Sequence, residues 1–258
     1  MRYTQELGKI LNKTEIAKGT FDVTLHSPEI ANIAVAGQFV NILCDGFTLR
    51  RPISLCGFDS EKGILRIIFE IRGKGTEWLS RLQVGDNMDI IGPLGHGFSL
   101  IDSSKKAVIV GGGVGTPPLL PVAQFYRENA TVITGFRNAS AAILQGDFEK
   151  AGAKTILCTD DGSAGIHGFT TQALEQYLNE NECDIIYTCG PKVMMRSVAR
   201  LAENHGITCQ VSMEERMGCG VGACLCCVCP TKDGKGKHLT RVCVNGPVFS
   251  STEVDWDA

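Results

Sequence analysis

Residues 216–229 read RMGCGVGACLCCVC, and five of these fourteen residues are cysteine. Thiolates bind soft metals, exchange into disulfides or act as nucleophiles. Cys219, Cys224 and Cys227 are spaced C-x4-C-x2-C, and Cys243 follows with fifteen residues between. That is the spacing of a plant-type 2Fe–2S site, in which four thiolates reach two irons and the loop wraps them closely. Gly218, Gly220 and Gly222 let the backbone turn and aim N–H groups at sulfur. Zinc sites more often show two C-x2–4-C knuckles far apart, and beyond the pair Cys226/Cys229 only Cys243 remains. Disulfides rank third, because adjacent thiols pair poorly. Register separates the five cysteines. An x4 partner for Cys226 would be Val221, which cannot ligate iron, so Cys226 and Cys229 read as packing or outer residues.

A second chemistry is written in glycine. The stretch VIVGGGVGTPPLLP (108–121) is a strand, a glycine turn and a helix start. Gly111, Gly112, Gly113 and Gly115 permit close backbone approach, and Thr116 with the amides after it offers a positive helix end to a diphosphate. The pattern departs from strict G-x-G-x-x-G, and a tight turn without ligand competes with the binding reading. Two further loops shift the balance. TDDGSAGIHG, with Asp160 and Asp161, follows one strand, and the loop Cys189, Gly190, Pro191 follows another. Open α/β sheets bind ligands at such strand ends, which predicts a nucleotide crevice. Cys189 is either a buried strand residue or a neighbour of a nicotinamide. Arg137, in TGFRNAS, is either a solvated loop residue or a partner for a 2′-phosphate.

In LRRPISLCGF (49–58), Arg51 and Ser54 flank Pro52 and Ile53. An Arg here can clamp a phosphate and a Ser can bond a ring nitrogen, although an Arg beside a strand is common. IFEIRGKGTEWL (68–79) ends a strand at Gly73, Gly75 and Thr76 and opens a helix, a second candidate diphosphate cradle. Two cradles suggest two nucleotides meeting between domains.

The elements that must carry these residues fall into three parts. Residues 1–100 hold short β-rich runs at 19–27, 37–44, 51–58, 63–73 and 85–95, with a short helix at 76–82 whose N-cap is Thr76. Such runs fit an antiparallel barrel or sandwich, and an antiparallel β-barrel is the expectation. Residues 101–212 alternate apolar strands (107–111, 130–135, 154–159, 184–189, 207–211) with helical patterns near 116–128, 140–151, 170–181 and 191–205. Pro191 suits the first turn of the last helix and Gly206 its end. Such alternation predicts a doubly wound parallel five-stranded sheet. Residues 213–258 form a small Cys-rich subdomain, in which TKDGKGK reads as a hairpin turn that returns Cys243 toward the other ligands.

Composition bounds the partners. The 258 residues are 43% hydrophobic and 21% charged, with a net charge of −3, which argues against nucleic acid or an anionic membrane as the main partner. The start MRYTQELGKI lacks the apolar core of a signal peptide, and no stretch approaches the ~20 apolar residues of a membrane span. A cytoplasmic location is expected, where twelve cysteines favour metal or redox chemistry over disulfides.

Together, the R-P-I-S strand, the glycine turn at 111–115 and the Cys189-Gly190-Pro191 loop resemble the ferredoxin–NADP reductase superfamily. The appended cluster motif ERMGCGVGACLCCVC and the ending CVNGPVF are similar to the electron-transfer subunits of class 1B dihydroorotate dehydrogenases, over nearly the whole chain. That resemblance implies FAD held at Arg51–Ser54, at Ile68, Phe69 and Glu70, and at Gly75 and Thr76. It implies NAD in the second domain, and a 2Fe–2S cluster on Cys219, Cys224, Cys227 and Cys243. It further implies a TIM-barrel partner that contains FMN and oxidises dihydroorotate, in a heterotetramer of two chains of each kind. Many superfamily members carry an aromatic residue where Ile53 stands, so an apolar contact replaces stacking. The small flavoprotein subunits of NADH-dependent ferredoxin–NADP reductase or sulfide dehydrogenase share the domain order, but commonly carry Asp at the position of Cys219. A zinc-stabilised nucleotide-binding regulator is the alternative outside redox chemistry.

Overall fold

Strands rich in branched and aromatic residues need a partner on each edge, and six of them close on themselves here. The computed structural model describes residues 3–258. Its barrel comprises β1 (Thr4–Ala17), β2 (Thr20–His26), β3 (Phe39–Ile42), β4 (Arg51–Asp59), β5 (Ile64–Glu70) and β6 (Asn87–Leu94), with α1 (Pro28–Ala31) after β2 and α2 (Lys74–Leu79) after β5. The order β1-β2-β5-β4-β3-β6 is closed and antiparallel, which leaves no free edge. Inward residues of every strand, among them Ile10, Val23, Val40, Ile42, Leu55, Leu65, Ile67 and Ile90, form the barrel core.

Two expectations change here. β1 spans fourteen residues that were not among the predicted runs, because Leu7 and Leu11 face water and its charged positions mask the alternation. The helix after β5 begins at Lys74, with Gly73 as N-cap. Thr76 therefore sits at the third helical position, where its Oγ1 accepts from the Gly73 amide at 3.2 Å and the Arg72 amide at 2.9 Å.

The second unit contains β7 (Ala107–Gly112), α3 (Leu120–Tyr126), β8 (Ala130–Phe136), α4 (Gln145–Lys150), β9 (Lys154–Thr159), β10 (Ile166–His167), α5 (Thr170–Glu180), β11 (Ile185–Cys189), α6 (Lys192–Asn204) and β12 (Thr208–Ser212). Strands β9-β8-β7-β11-β12 are parallel and neighbouring, the order of a doubly wound sheet. Helices cover both faces. Leu120, Val122 and Phe148 pack on one side, and Leu174, Val198 and Ala202 on the other.

The sheet has seven strands rather than the expected five. β10 adds two residues at one edge, and β15 (Val248–Ser250), from the Cys-rich end of the chain, adds an antiparallel strand at the other. Strands of two and three residues carry too little pattern to read. Around 116–128 two short 3-10 turns precede α3, and the segment expected to be helical over 140–151 forms α-helix only in α4. Pro191 is the N-cap of α6 rather than part of its first turn, because its ψ of 137° is still extended. Gly206, at φ +67°, follows the C-cap of α6.

The Cys-rich segment folds as a loop, then the hairpin β13 (Val228–Asp233) and β14 (Gly236–Arg241), then α7 (Val242–Asn245) and β15. Its buried Cys227, Cys229, Val242, Cys243 and Phe249 share one core with Phe39 and Leu94 of the barrel and with Val108, Val110 and Val211 of the sheet. No helix among the described residues is long and apolar enough to cross a membrane.

Candidate functional site

The cysteine loop is set by its anchors. After β12 the Met213 amide donates to the Pro247 carbonyl at 2.8 Å, so the chain leaves the sheet beside its own returning end. Gly220 is in the left-handed region, at φ +73°, and a Cβ on it would lie 2.4 Å from Asn41 Nδ2. The loop backbone therefore lies directly on the barrel. Arg241 Nη1 donates to the Gly222 carbonyl at 2.6 Å and ties the same loop to the hairpin.

Within this frame the sulfurs fall into two pairs. The Cys224 amide donates to Cys219 Sγ at 3.4 Å, and the Cys243 amide donates to Cys227 Sγ at 3.5 Å. Burial acts to raise the Cys219 thiol, but the amides of Cys224, Val221 and Ala223 and the Cys224 thiol outweigh it and bring it down to about 7. Burial pushes Cys243 the other way, up to about 12, with Cys227 reinforcing the rise. Among the described residues no three His, Cys, Asp or Glu side chains converge as a single ion would require. Two thiol pairs with amides aimed at sulfur fit a dinuclear cluster. The other two cysteines of the loop are elsewhere. Cys226 is exposed, while Cys229 is buried in the shared core with its thiol toward the Pro230 carbonyl.

Arg51, Pro52, Ile53 and Ser54 open β4, opposite Ile42, Asn41, Val40 and Phe39 of β3. The Arg51 guanidinium lies 5.0 Å over the Phe47 ring, bonds to the Leu49 carbonyl and crosses the start of α2. A Cβ on buried Gly75 would sit 2.1 Å from Arg51 Nε. Arg51, Gly75 and Thr76 are thus brought together, and the cradle they form suits a diphosphate. The stretch Ile68–Glu70 divides. Ile68 is buried between barrel and sheet, and Phe69 is buried inside the barrel, stacked on Phe21 at 5.7 Å. Only Glu70 keeps an accessible side chain, paired with Arg72 at 3.0 Å. Phe69 offers a ligand no more than its backbone.

The glycine turn lies at the carboxyl end of β7, where the strand order reverses between β8 and β11. Cβ atoms on Gly112 and Gly115 would lie 2.9 Å from Pro191 Cδ and 2.6 Å from the Cys189 carbonyl, so this turn and the 189–191 loop are in contact. Thr116 is fully buried against Gly111, and its hydroxyl has no hydrogen-bond partner. Burial pushes the Cys189 thiol up to about 12, which keeps it neutral. Asp160 and Asp161 lie two strands away, at the end of β9. Asp161 is held below the usual carboxylate range by the Ser163 hydroxyl and amide, and its own amide donates to the Arg137 carbonyl at 3.3 Å.

One residue joining these regions carried no sequence signal. Asn41, 1% exposed in the middle of β3, pairs with Pro52 and donates through Nδ2 to the Cys219 carbonyl at 3.3 Å. Asn41 and Cys219 are 178 positions apart, so only the fold reveals the link.

Known proteins resemble the chain throughout. Residues 214–255 match the iron-sulfur cluster binding domain of dihydroorotate dehydrogenase B. The dihydroorotate dehydrogenase B (NAD(+)) electron transfer subunit of Desulforamulus reducens is 36% identical over 255 residues, 96% of this chain and 97% of the relative. The subunit of the same name from Bacillus caldolyticus is 40% identical over 247 residues, 93% of this chain and 94% of the relative. A chain from the structure of the NADH-dependent reduced ferredoxin-NADP oxidoreductase, studied for flavin-based electron bifurcation, superposes with a TM-score of 0.87. It is 34% identical, over 98% of this chain and 91% of that one. Length, identity and the cysteine-bearing segment agree, and the chain belongs to the family of electron transfer subunits of dihydroorotate dehydrogenase B (NAD(+)).

Proposed function

We propose that this chain relays electrons between a dihydroorotate-oxidising partner subunit and NAD, through a 2Fe–2S cluster and FAD that it holds. Cys219, Cys224, Cys227 and Cys243 are the proposed cluster ligands. FAD is assigned to the R-P-I-S strand, with Arg51, Gly75 and Thr76 at its diphosphate, Ser54 at a ring nitrogen and Ile53 as an apolar contact. Ile68, Phe69 and Glu70 contribute the adjoining strand, Phe69 through its backbone. NAD is assigned to Gly111, Gly112, Gly113, Gly115 and Thr116 for its diphosphate, with Asp160 and Asp161 flanking the crevice and Cys189, Gly190 and Pro191 beside the nicotinamide. Together the two resident groups convert between a hydride and single electrons.

The chain's own contribution is placement and exclusion of water. The observation that carries the reading is the double contact of Asn41, across the ladder to Pro52 and through its amide to the Cys219 carbonyl. It rests the cluster loop on β3, the strand that neighbours the one assigned to the flavin, and neighbouring strands lie about 4.8 Å apart. Cys227 and Cys243 are buried, whereas exposed Leu225 lies between the ligands Cys224 and Cys227. That arrangement supports a cluster shielded on the flavin side and open toward a partner. The partner is proposed to be the FMN-containing catalytic subunit, in a heterotetramer of two chains of each kind. The twelve cysteines, none in a disulfide, support a reducing, cytoplasmic setting.

Anaerobic purification tests the reading. The chain is expected to be brown, with flavin bands and one 2Fe–2S cluster, and to oxidise NADH with an artificial acceptor while leaving dihydroorotate untouched. Co-purification is expected to recover the FMN subunit, with light scattering giving two of each chain. A colourless, zinc-containing chain, or dihydroorotate turnover by this chain alone, would overturn it.

A further inference from the structure

Strand β3 reads Phe39-Val40-Asn41-Ile42, and all four residues are buried. Val40 and Ile42 point into the barrel core, whereas Phe39 points into the core shared with the cysteine segment. By the alternation of a strand, Asn41 projects to the Phe39 side. An amide among apolar side chains is retained for a specific bond rather than for packing. Its Nδ2 meets the Cys219 carbonyl at 3.3 Å, while its Oδ1 is buried and accepts nothing. The bond to Cys219 alone fixes the orientation of the amide, because an oxygen in that place would face another oxygen.

The platform beneath this amide is itself held from two sides. Arg50 Nη1 donates to the Asn41 carbonyl at 3.3 Å and to the Asp89 carboxylate at 2.8 Å. The same Nη1 also donates to the Asp89 carbonyl at 3.1 Å, so one guanidinium ties Asn41 of β3 to the neighbouring strand β6. On the other side of Asn41 the cluster loop presents Gly220, where no side chain fits. The contact is therefore held at both ends, by a buried strand residue on one side and a loop with no room for a side chain on the other.

We infer that Asn41 is a positioning residue. It holds the first cluster ligand by the carbonyl of that residue and fixes the cluster loop against the strand assigned to the flavin. This inference rests on the relay reading above. It assigns Asn41 no contact with substrate and no proton. Its effect passes through Cys219, whose sulfur accepts from the Cys224 amide of the loop that the Asn41 contact holds against β3.

The test uses the full chain carrying its cluster and flavin, as wild type, Asn41→Leu and Asn41→Ser. Leucine keeps the volume and removes the donor, and serine is too short to reach the carbonyl. Four readouts are taken: thermal unfolding, the paramagnetic signal of the reduced cluster, its midpoint potential, and the rate of cluster loss to a chelator. Both variants are expected to fold and take up the cluster, with altered g-values, a shifted potential and cluster loss faster by about 10- to 100-fold, the range for removal of a bond behind a metal ligand. Flavin content is expected to stay at the wild-type level. Should the leucine variant not fold, the serine variant decides. Wild-type g-values, potential and chelator resistance in a folded variant overturn the inference. Absence of a cluster from the wild type instead overturns the relay reading, so the two failures are distinct.

Discussion

Cys224 and Cys226 differ by two positions and have opposite surroundings. Cys224 lies with Cys219, and a Cβ on Gly218 would come within 3.2 Å of its sulfur, whereas Cys226 is exposed. Cys226→Ser is expected to keep the paramagnetic signal of the reduced cluster, and Cys224→Ser to lose it or change it grossly. Equal signals from both variants would reject the proposed ligand register. Thr116 gives a second residue-level outcome. Its hydroxyl is fully buried without a partner, so Thr116→Val removes no hydrogen bond from the free protein. Unfolding should show equal or slightly higher stability. If the hydroxyl serves the nucleotide, KM for NADH should rise about 2- to 12-fold, the equivalent of about 0.5–1.5 kcal/mol. An unchanged KM would remove Thr116 from the crevice. The cysteine spacing was legible because local sequence encodes loop wrapping. Asn41 was not, because its meaning comes from Cys219 on a distant element.

Elements were legible where their pattern is long and continuous. β7, β8 and β11 are buried on both faces, as strands between helix layers must be, β9 and β12 beside them are more mixed, and each of the five lies within a residue or so of its expected span. β1 was hidden because its apolar residues serve two tasks, Ile10 in the core and Leu7 on the surface. β1 also carries a cap that no local pattern encodes. Lys13 Nζ donates to the Ser80 and Leu82 carbonyls at 2.5 and 2.6 Å, just beyond α2, and lies 4.9 Å from the Phe21 ring. Partial burial lowers its affinity for a proton, while Asp86 and Glu15 oppose the drop. Lys13→Met keeps the stem and removes the donors from two carbonyls. Urea unfolding should show a loss of about 1–3 kcal/mol. Because α2 carries Gly75 and Thr76, flavin retention should fall with it. Loss of stability with full flavin retention would separate the cap from the proposed FAD cradle.

Across the whole molecule, the three sequence regions are joined rather than strung together. Arg66 of the barrel bridges Asp22 beside it and Asp147 of α4, at 2.6 and 2.5 Å. Tyr126 and Tyr187 share a hydroxyl contact at 2.8 Å and hold the connecting chain at Ser99 and Ile101. The cysteine segment closes the sheet through β15 and rests on the barrel through Asn41. Among the mostly polar residues exposed on that segment stand two large apolar side chains. Leu225 on the cluster loop is 74% exposed and Leu239 on the hairpin 71%. Neither is needed for the shared core, and Leu225 is flanked by proposed ligands, so a subunit docking there would meet the cluster at its least protected side. Replacing either with Asp should leave the cluster signal and NADH oxidation with an artificial acceptor intact. Affinity for the catalytic subunit should fall about 10- to 150-fold, the equivalent of about 1.5–3 kcal/mol for a buried leucine. Dihydroorotate-to-NAD turnover in the reconstituted assembly should drop at low subunit concentration and recover as the partner is raised. Loss of turnover without that recovery would place the fault inside the relay, and unchanged affinity would put the docking face elsewhere on the chain.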